Sequence, residues 1–220
     1  MAKNKLKHFA ELDTFAHVIQ HPYQKEDFDH PLKGRWNSDF FKISQPITLE
    51  VGCGKGEYTV GLARMHPERN FLGLDLKGNR IWRGARTALD EGMQNVGFIR
   101  SQAERIGNFF APGELSEIWV TFPDPKPKKG DTRKRLTSAE NNLRYRNLLV
   151  DGGKVHLKTD SDFNVAFTLD VIRKTEAELI TYSEDIDRDY PNDELVKIRT
   201  YYEMMFRKKG VPIKFISYRP

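Results

Sequence analysis

The chain has a single cysteine, Cys53, in 220 residues. A disulfide needs two and a thiolate zinc site needs several, so neither forms within the chain, and the scarcity agrees with a reducing, cytoplasmic setting. Long apolar runs are also missing. Nothing is long enough to span a bilayer, and the opening "MAKNKLKHFAEL" lacks the apolar core of a signal peptide. Four of the six histidines (His8, His17, His21 and His30) fall in the first thirty residues without paired metal-ligand spacing. We expect no metal site and read these histidines as facing a partner or incidental. No internal repeat or low-complexity segment is present.

What the chain does have is one domain's worth of core, with 38% hydrophobic residues. Its formal charge of +5 is concentrated. Residues 126–135 carry six cations and one acid, leaving 30 bases against 30 acids elsewhere. A cationic run of this kind suggests a polyanionic partner, nucleic acid before membrane, because no Lys-rich amphipathic helix accompanies it.

Residues 1–45 are polar and aromatic with no long helical or alternating period, and predict an extended, basic and aromatic arm. From residue 46 to residue 220, short β-rich runs alternate with helical periods. Strands are predicted near 47–51, 71–75, 96–100, 117–122 and 153–158, and helices near 57–66, 78–91, 137–149 and 162–176. This alternation predicts an α/β fold, a parallel sheet covered by helices. Thr137 in "TSAE" is read as the cap of one helix, with Glu140 reaching back. Farther on, "ELITYS" and "IKFISYRP" read as two more strands around the helical "NDELVKIRTYYEMMFRKKG", which ends at Gly210. A late pair of this sort closes the sheet with an antiparallel last strand.

The first chemical stretch is "LEVGCGKGEY", a strand ending at Glu50 followed by Gly52, Gly54 and Gly56. A dinucleotide fingerprint would need a third glycine where Glu57 stands, and a carboxylate there repels pyrophosphate. The spaced glycines still allow a close backbone approach, and Glu50 suits a cationic amine such as the methionine part of S-adenosylmethionine. Asp75 ends the next strand in "FLGLD", where its carboxylate can accept both ribose hydroxyls. Glu50 and Asp75 together imply an adenosyl cofactor.

With these residues the chain resembles the class I S-adenosylmethionine-dependent methyltransferases. The "FPDP" segment with its basic run, "TD" at 159–160 and "TYYE" at 200–203 narrow the resemblance to the tRNA (guanine-N7)-methyltransferases. It covers about residues 47–220 and implies a seven-stranded Rossmann-like sheet with helices on both faces. It further implies methyl transfer from S-adenosylmethionine, with S-adenosylhomocysteine as product, to N7 of a guanine in the tRNA variable loop, position 46 in tRNA numbering. By the same resemblance Glu50, Asp75, Gln102 and Asp124 match cofactor-contacting positions, while Lys128, Asp160, Thr200, Tyr201, Tyr202 and Glu203 match substrate positions. Gln102, in "SQAERI", departs from the usual Asp or Asn but can still bond an adenine amino group.

N7 of guanine exposes a lone pair, so no base need remove a proton before attack. The enzyme must align that nitrogen with the methyl group and accommodate the cationic ring that forms. Asp124, bracketed by Pro123 and Pro125 at a strand end, is the expected catalytic residue. It can take guanine's N1–H and amino donors or offset the ring's charge, and Asp160 and Glu203 offer similar acceptors. Lys126, Lys129, Arg133, Lys134 and Arg135 are expected on RNA phosphates. Phe122, Tyr201 and Tyr202 are candidates for stacking on the base, while Trp119 and Cys53 are read as packing residues. The expected partner is tRNA, met by a monomer or homodimer. An RNA-binding protein with an inactive pocket, or a small-molecule methyltransferase with an incidental basic loop, are the rival readings.

Overall fold

The computed structural model describes residues 2–21 and 28–220. Its centre is an eight-stranded sheet formed by β1 (Val18–Gln20), β2 (Ile47–Val51), β3 (Asn70–Asp75), β4 (Val96–Arg100), β5 (Leu115–Thr121), β6 (Leu149–Thr159), β7 (Glu178–Ser183) and β8 (Lys214–Arg219). The order across the sheet is β1-β4-β3-β2-β5-β6-β8-β7, and the order reverses beside β2. Strands β1 to β6 pair in parallel, and β8 runs antiparallel to both β6 and β7. The antiparallel last strand is therefore as expected, and the sheet has one strand more than the resemblance implied.

Alternation along the strands sends side chains into two cores. Ile47, Leu49 and Val51 of β2 and Ile118 and Val120 of β5 join one cluster. It packs under α4 (Ala139–Leu148) and α5 (Asp162–Lys174). Trp119 belongs to the opposite cluster, with residues of α2 (Glu57–Met65) and α3 (Gly78–Asp90). Both faces are covered, so the central strands read as near-continuous apolar runs. Trp119 is core, as expected, at 3% exposure.

The N-terminal expectation is corrected. Residues 2–20 are not a free extended arm: α1 (Ala2–Leu12) packs on α3, and only β1 is extended, as an edge strand beside β4. The indole of Trp82 donates to Glu11 at 2.7 Å and stacks on His8. The histidines likewise have packing partners here. His17 Nε2 bonds the Ala85 carbonyl at 2.9 Å, and His21 and His30 lie against the Phe109 ring. A π-helical turn (Trp36–Phe41) completes this region. Residues 22–27, part of the expected arm, lie outside the described residues.

Two helix boundaries differ from the sequence reading. Ser138, not Thr137, caps α4 by accepting from the Asn141 N–H; Thr137 bonds Thr168, and Glu140 pairs with Arg133. The long helix expected before Gly210 is broken into α7 (Glu194–Lys197) and α8 (Tyr201–Lys208), with α6 (Ile186–Asp189) preceding them. Lys158 causes the break: its ammonium, buried from β6, takes the carbonyls of Leu195 at 2.5 Å and Ile198 at 3.1 Å. Thr200 then restarts the helix by accepting from the Glu203 N–H. Gly210 does sit past the helix end with φ +70°.

Candidate active site

Two adjoining pockets, of about 250 and 380 Å³, open at the carboxyl ends of β2, β3 and β5, beside the point where strand order reverses. Open α/β sheets bind ligands there because loops diverge from neighbouring strands. Gly52, Arg80, Phe122, Pro123 and Asp124 border both pockets and form the wall between them.

The larger pocket holds Asp75, Gln102, Leu74, Ala103 and, at its rim, Lys126 and Lys134. Asp75 is fixed by the backbone: one oxygen accepts the Gly54 N–H at 3.0 Å, and the other accepts the Lys77 N–H at 2.7 Å. Each oxygen retains a lone pair for a ligand hydroxyl. Gly54 has φ +56°, and a Cβ there would meet nothing within 4 Å. Its bare backbone therefore faces the space that a ligand would fill. Gly56 has a different task. A Cβ on it would come within 2.6 Å of the Phe98 ring and 3.2 Å of Gly84, so this glycine lets α2 close onto α3 and borders neither pocket.

Glu50 also lies behind the wall. Strand parity turns it toward α2, and it is buried at 2% exposure. Its carboxylate accepts from the Thr59 N–H at 2.9 Å and from the hydroxyls of Thr59 and Thr121. Thr121, not Glu50, reaches the pocket surface. Burial raises the Glu50 carboxyl from its ordinary 4.5 to about 7, against the opposing pull of its threonine partners. A folded value above the unfolded one stabilises the fold fully below pH 4.5, and this contribution is lost as pH rises through about 7. The melting temperature of the parent should therefore fall relative to Glu50→Gln between pH 5 and pH 8, a swing on the order of 2–3 kcal/mol. A gap that stays constant over that range would mean that Glu50 is charged throughout.

The smaller pocket gathers Asp124, Asp160, Thr200, Tyr202, Phe122 and the Cys53 backbone turn. The segment holding Asp124 is rigid for reasons beyond its prolines. Phe122 has φ +46°, a left-handed conformation that a bulky residue adopts only when held. Its N–H donates to the Lys158 carbonyl at 2.8 Å, and Asn164 Nδ2 donates to the Pro123 carbonyl at 2.9 Å. Asp160 is half-buried, and burial raises its carboxyl above the usual range. It does not cap the following helix; Ser161 does. Phe122 lies parallel to the Phe206 ring at 6.4 Å. Cys53 is buried, which pushes its thiol well up.

Several expected residues lie elsewhere. Glu203 is fully buried, pairing with Lys158 at 2.8 Å and Arg207 at 2.8 Å, and borders neither pocket. Tyr201 stands outside the pocket with the Lys55 ammonium 4.1 Å from its ring centre. Arg135, expected on RNA phosphate, is instead 8% exposed. Its guanidinium donates to the Lys126 carbonyl at 3.1 Å and lies over the rings of Phe163 and Phe167, so it shapes the basic loop from inside. Lys128, Lys129 and Arg133 remain exposed on that loop. Arg80 and Lys55, which line the smaller pocket, were missed by the sequence reading, because neither belongs to a charge run.

A family model described as "Putative methyltransferase" matches residues 44–216. A protein of Christiangramia forsetii named tRNA (guanine-N(7)-)-methyltransferase is 48% identical, with 99% of this chain and 98% of the relative covered. A protein of the same name from Bacteroides fragilis is 46% identical, over 99% of this chain and 86% of the relative. Among solved structures, the 16S rRNA methyltransferase KamB shares the fold with a TM-score of 0.64 at 14% identity, covering 91% of this chain and 97% of that one. Near-complete coverage at this identity means that the chain belongs to the tRNA (guanine-N(7)-)-methyltransferase family.

Proposed function

We propose that this methyltransferase moves a methyl group from S-adenosylmethionine to N7 of a guanine in the variable loop of tRNA, at position 46, leaving S-adenosylhomocysteine. The observation that carries the reading is a divided pocket: Asp75 on one side, Asp160 and Tyr202 on the other, and Asp124 in the wall between. A nucleoside-bearing donor suits the first half and a flat base suits the second. Residues 46–220 would carry the chemistry, with residues 2–21 and 28–45 of the N-terminal arm buttressing it. The setting is the cytoplasm, where the substrate is available.

The donor set agrees with this cofactor. Asp75 would take the ribose hydroxyls with its free lone pairs, Gln102 would bond the adenine amino group, and the bare backbone at Gly52 and Gly54 would admit the methionine portion. Glu50 would act from below, holding Thr121 in the pocket wall. When bound, the cofactor supplies an electrophilic methyl group on a sulfonium. The chain's own residues do the rest. Asp160 would take donors from the Watson–Crick edge of the base, Tyr202 and Phe122 would sandwich its ring, and Thr200 would line the entrance. Asp124 would stand where positive charge appears on the purine as N7 is alkylated. No side chain has to remove a proton first, because N7 carries a free lone pair. On the flank, Lys126, Lys128, Lys129, Arg133 and Lys134 would meet phosphates.

Incubation with labelled S-adenosylmethionine and unmodified tRNA, followed by identification of the modified nucleoside, tests the reading. We expect 7-methylguanosine at one variable-loop position; label on another base, or none, would overturn it. Asp75→Ala should weaken S-adenosylmethionine binding by roughly 1.5–3 kcal/mol, the scale of hydrogen bonds to a charged group, without unfolding the protein. Calorimetric titration measures this, and unchanged affinity would make Asp75 a loop staple only.

A further inference from the structure

Beside the smaller pocket, a groove of about 440 Å³ runs between α2, α3 and the segment after α7. Its walls carry Lys55, Arg64, Arg83, Lys197 and Arg199, against one lining acid, Glu57. That acid is occupied, since its carboxylate accepts the Tyr201 N–H at 2.9 Å. Arg64 is held by Glu91, whereas Arg83 and Lys197 have no ion-pair partner among the described residues. The floor is glycine. Gly61 lies so close to Ile198, and Gly84 to the Lys55 carbonyl, that a Cβ on either would come within 2.7 Å, and the long cationic side chains rise on either side.

The groove continues into the active site. Lys55 and Glu57 border both the groove and the smaller pocket, and Arg80 links the pocket to a shallower hollow that also contains Lys55, Trp82 and Arg83. This path meets the pocket at Lys55, away from the edge where Lys126 and Lys134 enter. None of its cations lies in the 126–135 run, and the rest of the sequence is balanced in charge. The fold assembles the path from residues that are far apart in the chain.

We propose that this groove is a second phosphate-binding track, holding the sugar–phosphate backbone of the same tRNA on the opposite flank of the target base from the basic loop; it rests on the tRNA reading above. A small anion would need converging donors. Here the cations are separated along an open channel, which suits a repeating charge, and continuity with the pocket ties that charge to the strand that carries the base. Two tracks flanking the pocket would hold the backbone on both sides of one everted guanine and fix its register.

The test is the salt dependence of binding to unmodified tRNA, measured with the parent, with Arg83→Ala/Lys197→Ala and with Lys128→Ala/Lys129→Ala. Each double variant should flatten the log–log salt slope by about 1.5–2 units, as expected for two lost phosphate contacts, and the four-site variant should add the two losses. S-adenosylmethionine affinity should not change. The charge-preserving Arg83→Lys/Lys197→Arg variant should keep the parental slope, separating charge from shape. A folded Arg83→Ala/Lys197→Ala protein with the parental slope would overturn the track, even if 7-methylguanosine is still made. A groove-dependent slope in a parent that makes no 7-methylguanosine would sink the proposed reaction and leave the track standing.

Discussion

Asp124→Asn is expected to lower the single-turnover rate of methyl transfer about a hundredfold, the scale of one preorganised electrostatic contact, while tRNA binding changes little. The difference between binding and rate follows from timing. Neutral guanine enters the pocket, and positive charge develops only as the methyl group arrives, so a carboxylate is worth more in the transition state than before it. Asparagine keeps the size and one acceptor but loses the charge. The backbone should not move: the turn is held by the Phe122 N–H on the Lys158 carbonyl, by Asn164 on the Pro123 carbonyl and by a proline on each side, none of which involves the Asp124 side chain. A near-parental rate in a folded Asp124→Asn protein would make this residue a turn former. The assignment would then pass to Asp160, which shares the smaller pocket, and not to Glu57, whose carboxylate holds the Tyr201 N–H, nor to Glu203, whose charge is spent on Lys158 and Arg207.

The central strands were legible because both of their faces are buried. Ile47–Val51 and Val96–Arg100 coincide with the predicted runs, and Asn70–Asp75 differs by one residue. The motif residues at strand ends were legible for a related reason: the switch point lies where β2, β3 and β5 end, so Asp75 and Asp124 come together once the strand order is known. What escaped was decided by contacts between distant residues. The three residues of β1 are too few for a period, and α1 becomes a packing element only when Trp82 reaches Glu11. Gly56 looked like a third cofactor glycine until Phe98 and Gly84 were brought against it. Arg135 looked like one more surface cation, but Phe163 and Phe167, one turn apart on α5, receive it. The groove cations are invisible in sequence because their clustering is made by tertiary packing over glycines: Gly61 of α2 against Ile198 after α7, and Gly84 of α3 against the turn at Lys55.

Glu203→Ala should be the most destabilising single change, by about 3–5 kcal/mol, because it leaves a charge stranded in the interior. Lys158 and Glu203 are each 0% exposed, and their 2.8 Å contact is the crossing point between β6 and α8. Arg207 extends the network, bonding Glu203 at 2.9 Å and pairing with Asp187 of α6. Thermal melting should show a drop of roughly 10 °C at this chain length. Removing both charges separates the contributions. In Lys158→Met/Glu203→Leu both fully buried charges are gone and Arg207, 16% exposed, keeps Asp187 as its partner, so part of the loss should return, but the Leu195 and Ile198 carbonyls lose their donor and cost about 1–3 kcal/mol. The double variant should therefore melt between the parent and Glu203→Ala. Because those carbonyls hold the break before Thr200, it should also bind tRNA less well even where it is fully folded. If Glu203→Ala instead melts within about 1 kcal/mol of the parent and loses only tRNA affinity, the glutamate faces the substrate after all, and the break before α8 needs another cause.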